Sequence, residues 1–286
     1  METFKAGKGP AGGSSGREHR AVTTPNDAHG SHDFMIIIVF VVSVIYISWS
    51  SFGSKDENET APRRRKGKPR EPYTTAQEVE SAIRQQGLES CSLMVAVDFT
   101  KSNEWMGKRT YGNRCLHDTS QPESPNPYQR VISIIGKTLA HFDDDGIIPA
   151  YGFGDTVQMS GPTNFAPAIR EAVKRVKKED NAFHVLLIIA DGQVDREEDT
   201  VKAIVEASRH PIAIICIGVG DGPWDLMHKF DDDLPARRFD NFQFVELNGI
   251  EDECAESGLP LEPQFALAAL MELPAQFRFL KQNAML

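Results

Sequence analysis

Three oxygen-bearing side chains follow a short apolar run, and their alternate spacing could serve to bind a metal ion. Asp98, Thr100 and Ser102 come directly after Leu93–Val97 in the stretch SLMVAVDFTKS. An extended chain turns alternate side chains to one side, so the three oxygens can face one point. Aspartate, serine and threonine are also common wherever a strand ends. The short motif alone is therefore compatible with an ordinary strand end as well as with one corner of a metal site.

Two further oxygen ligands stand later in the chain. Thr163 lies in GPTNF, ahead of a predicted helix, and Asp191 follows the apolar run HVLLIIA. Magnesium prefers hard oxygen ligands in near-octahedral geometry, and Mn²⁺ or Ca²⁺ also bind oxygen. Two carboxylates and three hydroxyls leave such an ion with room for an outside ligand, and an acidic side chain of a partner protein suits that position. The predicted metal ligands are Asp98, Thr100, Ser102, Thr163 and Asp191.

Alternating strands and helices must bring these residues together. Apolar runs rich in Val, Ile and Leu predict strands at 93–99, 147–154, 184–192, 212–220 and 242–247. Amphipathic segments predict helices at 78–88, 127–142, 166–179, 199–208, 224–230 and 264–273. This alternation predicts an α/β domain with a doubly wound, mainly parallel sheet and helices on both faces. Sites in such folds lie at the carboxyl ends of the strands. The acids at these ends are Asp98, Asp155, Asp191 and Asp221.

Composition and motifs exclude several other classes of function. The net charge of −10 argues against nucleic acid as the main partner, because phosphate binding needs clustered positive charge. The GKT at 136–138 has Val131 where a Walker A loop needs glycine, and neither GFGDTV nor GVGDGP has the GxGxxG spacing. No GxSxG elbow stands between a predicted strand and a predicted helix, and no HExxH motif is present, so we expect no catalytic activity. The four scattered cysteines lack the paired spacing of a zinc ribbon or RING and predict reduced thiols.

The amino-terminal part of the chain predicts a membrane anchor. Residues 1–33 are rich in Gly, Ser, Ala and Thr and predict a disordered tail. Residues 34–53 contain no charged side chain and are long enough, at roughly 20 residues, to cross a bilayer as a single helix. A buried core segment and a cleaved signal peptide are the alternatives. The flanking composition contradicts a buried core segment, and a signal peptide would begin earlier and be shorter.

The charges beside this segment predict its orientation. Residues 54–72 form a basic linker that contains PRRRKGKPR, whereas positive charges are sparse on the amino-terminal side. The positive-inside rule therefore places the carboxyl-terminal domain in the cytosol. The basic run 63–70 could also contact anionic lipid headgroups, or serve only as a solvated flank. The sequon NET at Asn58–Thr60 argues in the opposite direction, but it is short and close to the membrane edge.

Longer stretches of the sequence resemble a known family. The pattern Asp-x-Thr-x-Ser, followed by the Thr of GPTNF and the Asp of ADG, resembles the metal-ion-dependent adhesion site of von Willebrand factor A domains. NPYQRVISIIGKTLAHFDDD, HVLLIIADGQV and FALAALMELPAQF resemble the copine A domain, and PARRFDNFQFV is most similar to the copine-like branch that includes plant RING-bearing ubiquitin ligases. The resemblance implies a copine-type von Willebrand factor A domain over 73–286. It also implies that the five oxygen ligands hold the metal of a protein-interaction module.

The sequence departs from these relatives in three ways. Copines carry two C2 domains ahead of this domain and the ligases carry a carboxyl-terminal RING, and we expect neither here. Only Thr156–Ser160 separate YGFGD from GPTNF, where relatives have a few dozen residues that include a helix and an antiparallel edge strand. About eight extended residues, at up to ~3.4 Å each, can still bring Thr163 to the carboxyl ends of the strands. We therefore expect an altered edge of the sheet.

Three functions fit these features. The first is a membrane-anchored, cytosol-facing module that binds partner proteins through the metal and has no catalytic activity of its own. The second is a ubiquitin-ligase-related substrate adaptor that depends on a separate RING protein. The third is a scaffold that has lost metal binding because of the short link before Thr163. The five ligands, together with the anchor, favour the first.

Overall fold

Five parallel strands form the centre of the fold. The computed structural model describes residues 75–286 except 86, 122, 144–145, 155–162, 180–181, 193, 233 and 235–236. The strands are β1 Ser92–Asp98, β2 Ala150–Phe153, β3 His184–Ala190, β4 Ile212–Gly218 and β5 Phe242–Glu246. Their order across the sheet is β2–β1–β3–β4–β5, and every neighbouring pair is parallel. The predicted parallel sheet is confirmed for the part of the chain that is described.

The direction of winding reverses beside β1. The chain passes from β1 outward to β2, crosses back to β3 on the other side of β1, and continues through β4 to β5. Val97 is level with Gly152 of β2 and with Ile189 of β3, so the ends of three strands meet at one height. A reversal of this kind leaves a crevice at the carboxyl ends of the strands, where ligands bind in doubly wound folds. We call this edge of the sheet the rim.

Eight α-helices in the described residues cover the sheet. They are α1 Ala76–Gln85, α2 Pro127–Leu139, α3 Ala166–Lys178, α4 Glu197–Ala207, α5 Asp225–Asp232, α6 Leu247–Ser257, α7 Leu261–Leu270 and α8 Leu273–Gln282. Short 3₁₀ helices occupy Lys101–Glu104 and Ala140–Phe142. The start of α2 shows how the sequence sets such bounds. Asn126 accepts a hydrogen bond from the Gln129 amide, the Gln129 side chain accepts one from the Asn126 amide, and Pro127 occupies the first turn.

Helices lie on both faces of the sheet because its strands are apolar on both faces. Leu93, Val95 and Val97 of β1 belong to one core, which also takes buried side chains from α1, α2, α7 and α8. Met94 and Ala96 point the other way, into a second core with α3, α4 and α5. Successive side chains of a strand alternate between its faces, so a continuous apolar run must be covered on both. The predicted doubly wound arrangement is confirmed.

Several sequence predictions fall outside the described residues. These are the tail 1–33, the membrane segment 34–53, the basic linker 54–72, Asp155 and the short link Thr156–Ser160. Among the helices that the structure describes, none has both the length and the apolar character needed to cross a bilayer. That finding concerns residues 75–286 with their gaps and does not bear on segment 34–53.

Candidate metal centre

Two buried carboxylates stand at the reversal point of the sheet. Asp98 is the last residue of β1 and is fully buried, and Asp191 directly follows β3 and is 1% exposed. Both positions follow from the sequence, because each acid ends a continuous apolar strand and the two strands are adjacent and parallel. Placing two like charges in a buried crevice is unfavourable unless something compensates them.

A chain of hydrogen bonds joins four of the five predicted ligands. The Thr100 amide and hydroxyl both donate to Asp98 Oδ1, at 2.8 and 2.7 Å. The Thr100 hydroxyl oxygen lies 2.8 Å from that of Ser102, and Ser102 Oγ donates to Asp191 Oδ1 at 3.0 Å. The predicted ligands after β1 therefore lie together with the acid that follows β3, although Ser102 is in the 3₁₀ helix Lys101–Glu104 and not in the extended chain that the sequence predicted.

The second oxygen of each carboxylate has no partner. Asp98 Oδ2 and Asp191 Oδ2 are buried and accept no hydrogen bond within the described structure. Burial raises the pKa of Asp98, although the Thr100 hydroxyl and amide act to lower it. Burial, followed by the charge of Asp98, raises the pKa of Asp191. A divalent cation between the two would supply the missing partner and stabilise both ionised forms, so this donor set fits the metal that the sequence predicts.

Hydroxyl oxygens are essential to this donor set. Among the described residues, no group of three or more His, Cys, Asp or Glu side chains is arranged to hold a metal ion. A metal at the rim would therefore need Thr100 and Ser102 as well as the two carboxylates. Such a set is typical of hard cations, and it does not suit zinc, whose sites in proteins are built mainly from cysteine and histidine.

Thr163, unlike the other four predicted ligands, is held through its backbone. Its amide donates to Asp195 Oδ2 at 2.8 Å, and the Asp195 amide donates to the Thr163 carbonyl at 2.9 Å. This pair of bonds fixes Thr163 to the loop that follows β3, close to Asp191 in the chain. Thr163 is buried, but its side chain is not part of the hydrogen-bond chain among the described residues. Its role as a fifth metal ligand stays a prediction.

Three residues that the sequence analysis did not identify hold the backbone at the end of β1. Asn103 Nδ2 donates to the carbonyls of Asp98 and Thr100, at 3.3 and 2.9 Å, and Tyr128 donates to Asn103 Oδ1 at 2.7 Å. His117 Nε2 donates to the Asp98 carbonyl at 2.7 Å, and its ring stacks on Tyr128 with centroids 4.1 Å apart. Burial lowers the pKa of His117 to about 4, although the bond to Asp98 acts to raise it. A neutral histidine thus holds the backbone of a predicted ligand.

Gly154, which directly follows β2, packs closely against the same backbone. Gly154 has φ +104°, and a Cβ atom at this position would lie 2.8 Å from the Thr100 amide nitrogen. That conformation and that distance both exclude a larger residue. The carboxyl end of β2 therefore packs against the Thr100 amide that donates to Asp98.

Asp221 is at the rim, as predicted, but its carboxylate is used elsewhere. It accepts hydrogen bonds from the amides of Arg109 and Thr110, at 3.1 and 3.0 Å, and from the Thr110 hydroxyl at 2.8 Å. Burial acts to raise the pKa of Asp221, but these bonds outweigh it and the pKa lies below its usual value. The Asp221 carboxylate therefore fastens the loop after β1, and we assign it no part in metal binding.

Comparison with known proteins shows extensive similarity to one family. The family model described as copine matches residues 115–158 and 155–286. The E3 ubiquitin-protein ligases RGLG5 and RGLG3 of Arabidopsis thaliana are 41% identical over 274 residues and 40% identical over 251 residues. The matches cover 80% of this chain and 63% of RGLG5, and 72% of this chain and 68% of RGLG3. The chain spans less than two thirds of the length of RGLG5 and also of RGLG2, of which it spans 57%.

Similarity extends to an animal protein and to a solved structure. Copine family protein 1 of Caenorhabditis elegans is 41% identical over 240 residues, which cover 72% of this chain and 21% of that protein. The crystal structure of the manganese-loaded TRAP protein of Plasmodium vivax matches with a TM-score of 0.33 and 14% identity. That match covers 58% of this chain and 72% of the other.

Proposed function

Because this chain belongs to the copine family, we propose that residues 73–286 form a von Willebrand factor A-type protein-interaction module that binds partners through a divalent metal ion. The observation that carries the proposal is the pair of unpartnered, buried oxygens, Asp98 Oδ2 and Asp191 Oδ2. Buried acceptors are nearly always paired in folded proteins, so two at one point of the rim indicate a ligand.

The five predicted ligands have distinct parts in this proposal. Asp98 and Asp191 supply the negative charge, and their Oδ1 atoms stay tied to Thr100 and Ser102. Thr100, Ser102 and Thr163 supply neutral oxygens, which leave the centre with fewer negative charges than a site built from carboxylates alone. When bound, Mg²⁺, or Mn²⁺ or Ca²⁺ in its place, supplies positive charge and an open coordination position that suits an acidic side chain of a partner.

Replacing Asp98 by Ala is expected to abolish metal binding by the domain. The substitution removes one of the two carboxylates that the described residues place at the centre, and with it the acceptor of both Thr100 bonds. Isothermal titration of the chain with Mn²⁺ should give a saturable signal for the wild type and at least a hundredfold weaker binding for the variant. Equal binding by both would exclude the metal centre and would favour the metal-independent scaffold.

The proposal includes a membrane anchor. Segment 34–53 would cross the bilayer once, and the basic residues 63–70 would lie against anionic headgroups on the cytosolic side. In sealed vesicles with the cytosolic face outward, a tag at the carboxyl terminus should be digested by added protease. Protection of the tag would reverse the proposed orientation.

A substrate adaptor of the ubiquitin system is the second candidate. Its support is the 40–41% identity to proteins named as E3 ubiquitin ligases, together with the absence of paired cysteines from the printed sequence. Such an adaptor would bind a substrate at the rim and rely on a separate RING protein, without catalytic activity of its own. Ubiquitin transfer by the purified chain, with E1 and E2 enzymes but no added ligase, would exclude this candidate.

A further inference from the structure

An exposed tryptophan stands one helical turn from the candidate metal centre. We define the rim loop as residues 101–114, which follow β1 and the first predicted ligands. Trp105 lies in this loop with 44% of its surface exposed, and its amide donates to the Ser102 carbonyl at 2.9 Å. A large side chain exposed beside a predicted ligand of an interaction site requires an explanation, because tryptophan is enriched among residues that dominate binding energy.

The rim loop is basic, although the chain as a whole is acidic. It contains four basic residues and one acidic residue, whereas the net charge of the chain is −10. Arg109 and Arg114 are engaged, with Asp221 and Asp118 respectively. Lys101 and Lys108 are exposed and form no ion pair with any described residue. Glu104, the one acidic residue of the loop, is also exposed and forms no ion pair with a described residue, so the unpaired side chains around Trp105 carry two positive charges and one negative charge.

An apolar side chain connects this surface to the metal centre. Met106 is half-buried, and its Cε lies 3.9 Å from where a Cβ on Gly192 would stand, next to Asp191. Its amide, like that of Trp105, donates to the Ser102 carbonyl. A ligand that reached the metal centre would therefore find apolar surface and positive charge beside it.

The rim loop is already ordered by its own contacts. The amides of Tyr111 and Asn113 both donate to the Gly107 carbonyl, at 3.1 and 2.8 Å, and the Asp221 carboxylate holds the amides of Arg109 and Thr110. A surface that is ordered before binding loses little conformational entropy when a partner docks.

We infer that Trp105, between Lys101 and Lys108, is the specificity anchor for an acidic peptide segment of a partner protein. The segment carries one apolar side chain that packs on the indole, and its acidic residues pair with the two lysines. This inference rests on the proposed function, since a further carboxylate of the same segment completes the metal centre. Charge complementarity favours this occupant, because a neutral or basic peptide would leave both lysines unpaired.

The test uses the full-length chain in phosphatidylcholine nanodiscs with Mn²⁺. The probes are fluorescent dodecapeptides of Asp, Glu, Gly and Ser with one Leu, Phe or Trp, and matched peptides with Asn and Gln in place of the acids. The wild type should bind a subset of the acidic peptides and none of the neutral ones. Trp105→Ala should weaken that binding about tenfold or more, and Trp105→Phe should recover part of it. The double variant Lys101→Gln, Lys108→Gln should bind several-fold more weakly and with less dependence on salt.

Two controls separate this inference from the metal centre. Met271→Ala removes an equally exposed apolar side chain that lies between α7 and α8, and it should leave peptide binding unchanged. Mn²⁺ affinity of Trp105→Ala should equal that of the wild type, since Trp105 supplies no metal ligand.

Each outcome decides one of the two ideas. Acidic peptides that bind the wild type and Trp105→Ala equally, or no peptide binding by a chain that does bind Mn²⁺, would overturn the inference. Binding to phosphatidylserine vesicles that depends on Trp105, without peptide binding, would overturn it in favour of a lipid surface. Peptide binding that depends on Trp105 in a chain that fails to bind Mn²⁺ would support the anchor and overturn the metal centre.

Discussion

Replacing Asp191 by Asn is expected to make the metal-free chain more stable and, at the same time, insensitive to divalent metal. The Asp191 side chain is buried beside a second carboxylate, and its Oδ2 has no hydrogen-bond partner. Asparagine has the same shape, keeps an oxygen to accept from Ser102, and removes one of two like charges. Removal of a buried, uncompensated charge should raise the free energy of unfolding by about 1–3 kcal/mol. For a domain of this size, that corresponds to a Tm increase of roughly 2–4 °C per kcal/mol.

The stabilisation by Asp191→Asn should depend on pH in a defined direction. The folded-state pKa of Asp191 is raised, first by burial and then by the charge of Asp98. A raised pKa contributes stability that is fully present below the unfolded-state pKa and is lost as the pH rises through the folded-state value. Asparagine does not titrate, so the advantage of the variant over the wild type should be small at pH 5 and larger at pH 8.

Thermal unfolding in EDTA and in excess Mn²⁺ tests both parts of this prediction. Mn²⁺ should raise the Tm of the wild type, since a ligand that binds only the folded state stabilises it, and should leave that of Asp191→Asn unchanged. Asp225→Asn, which alters an exposed acid at the start of α5, should behave as the wild type does. A variant less stable than the wild type at pH 8 in EDTA would show that the two carboxylates are compensated by the chain itself.

The carboxylates of the candidate centre could be predicted because two simple regularities determine their position. Asp98 and Asp191 each end a run of apolar residues that must be a buried strand, and parallel strands end at the same edge of a sheet. The register of β1 and β3, in which Val97 is level with Ile189, then places the two acids within one residue of the same height. Thr100 and Ser102 were predicted from the alternation of an extended chain, but Ser102 lies in the 3₁₀ helix Lys101–Glu104, so the turn of that helix brings its hydroxyl to Thr100.

The supporting residues could not be predicted, because their positions depend on the path of a long loop. Asn103 and Tyr128 are 25 residues apart in the chain, and His117 lies 19 residues from Asp98. No hydrophobic periodicity links such residues, and the contacts form only once the rim loop has folded over the end of β1. Gly154 is similar, since its need for glycine arises from the nearby Thr100 backbone.

The helices after β5 show the limits of periodicity within the fold itself. Helix α6 was not predicted, and the structure buries only Leu247 and Cys254 of its eleven residues, so its apolar pattern is weak. The stretch QFALAALMEL was predicted as one helix, but α7 ends at Leu270 and α8 begins at Leu273. Pro274 lies in the first turn of α8, where its missing amide is tolerated, whereas it would interrupt a continuous helix.

Asp98 and Asp221 show that similar sequence positions can have different roles. Asp98 ends β1 and Asp221 follows β4, and the sequence predicts both acids at the carboxyl ends of parallel strands. The two residues differ in the hydrogen-bond donors that contact their carboxylates. Asp98 Oδ2 has no partner among the described residues, whereas Asp221 accepts backbone and side-chain donors from the rim loop. Unpartnered oxygens, and not strand-end acids as such, therefore indicate where a ligand can bind.

Removing the Asp221 carboxylate is accordingly expected to release the rim loop and to destabilise the domain. Asp221→Ala leaves the Arg109 and Thr110 amides without their acceptor, together with the Thr110 hydroxyl. Hydrogen bonds to a charged acceptor contribute about 1.5–3 kcal/mol each when buried. Because Asp221 is partly exposed, at 12% of its side-chain surface, water can replace some of them. The expected loss in the free energy of unfolding is therefore about 2–4 kcal/mol.

Limited trypsin digestion and urea denaturation measure the two consequences separately. Lys108 and Arg109 are exposed, so a released loop should be cleaved there at least tenfold faster than in the wild type under native conditions. Asp221→Asn keeps one acceptor oxygen and should lie between the wild type and Asp221→Ala in both measurements, whereas Asp225→Ala should match the wild type. Mn²⁺ should still bind Asp221→Ala, because Asp98 and Asp191 are held by Thr100 and Ser102 and not by Asp221. A complete loss of Mn²⁺ binding in a folded Asp221→Ala chain would instead make Asp221 part of the metal centre.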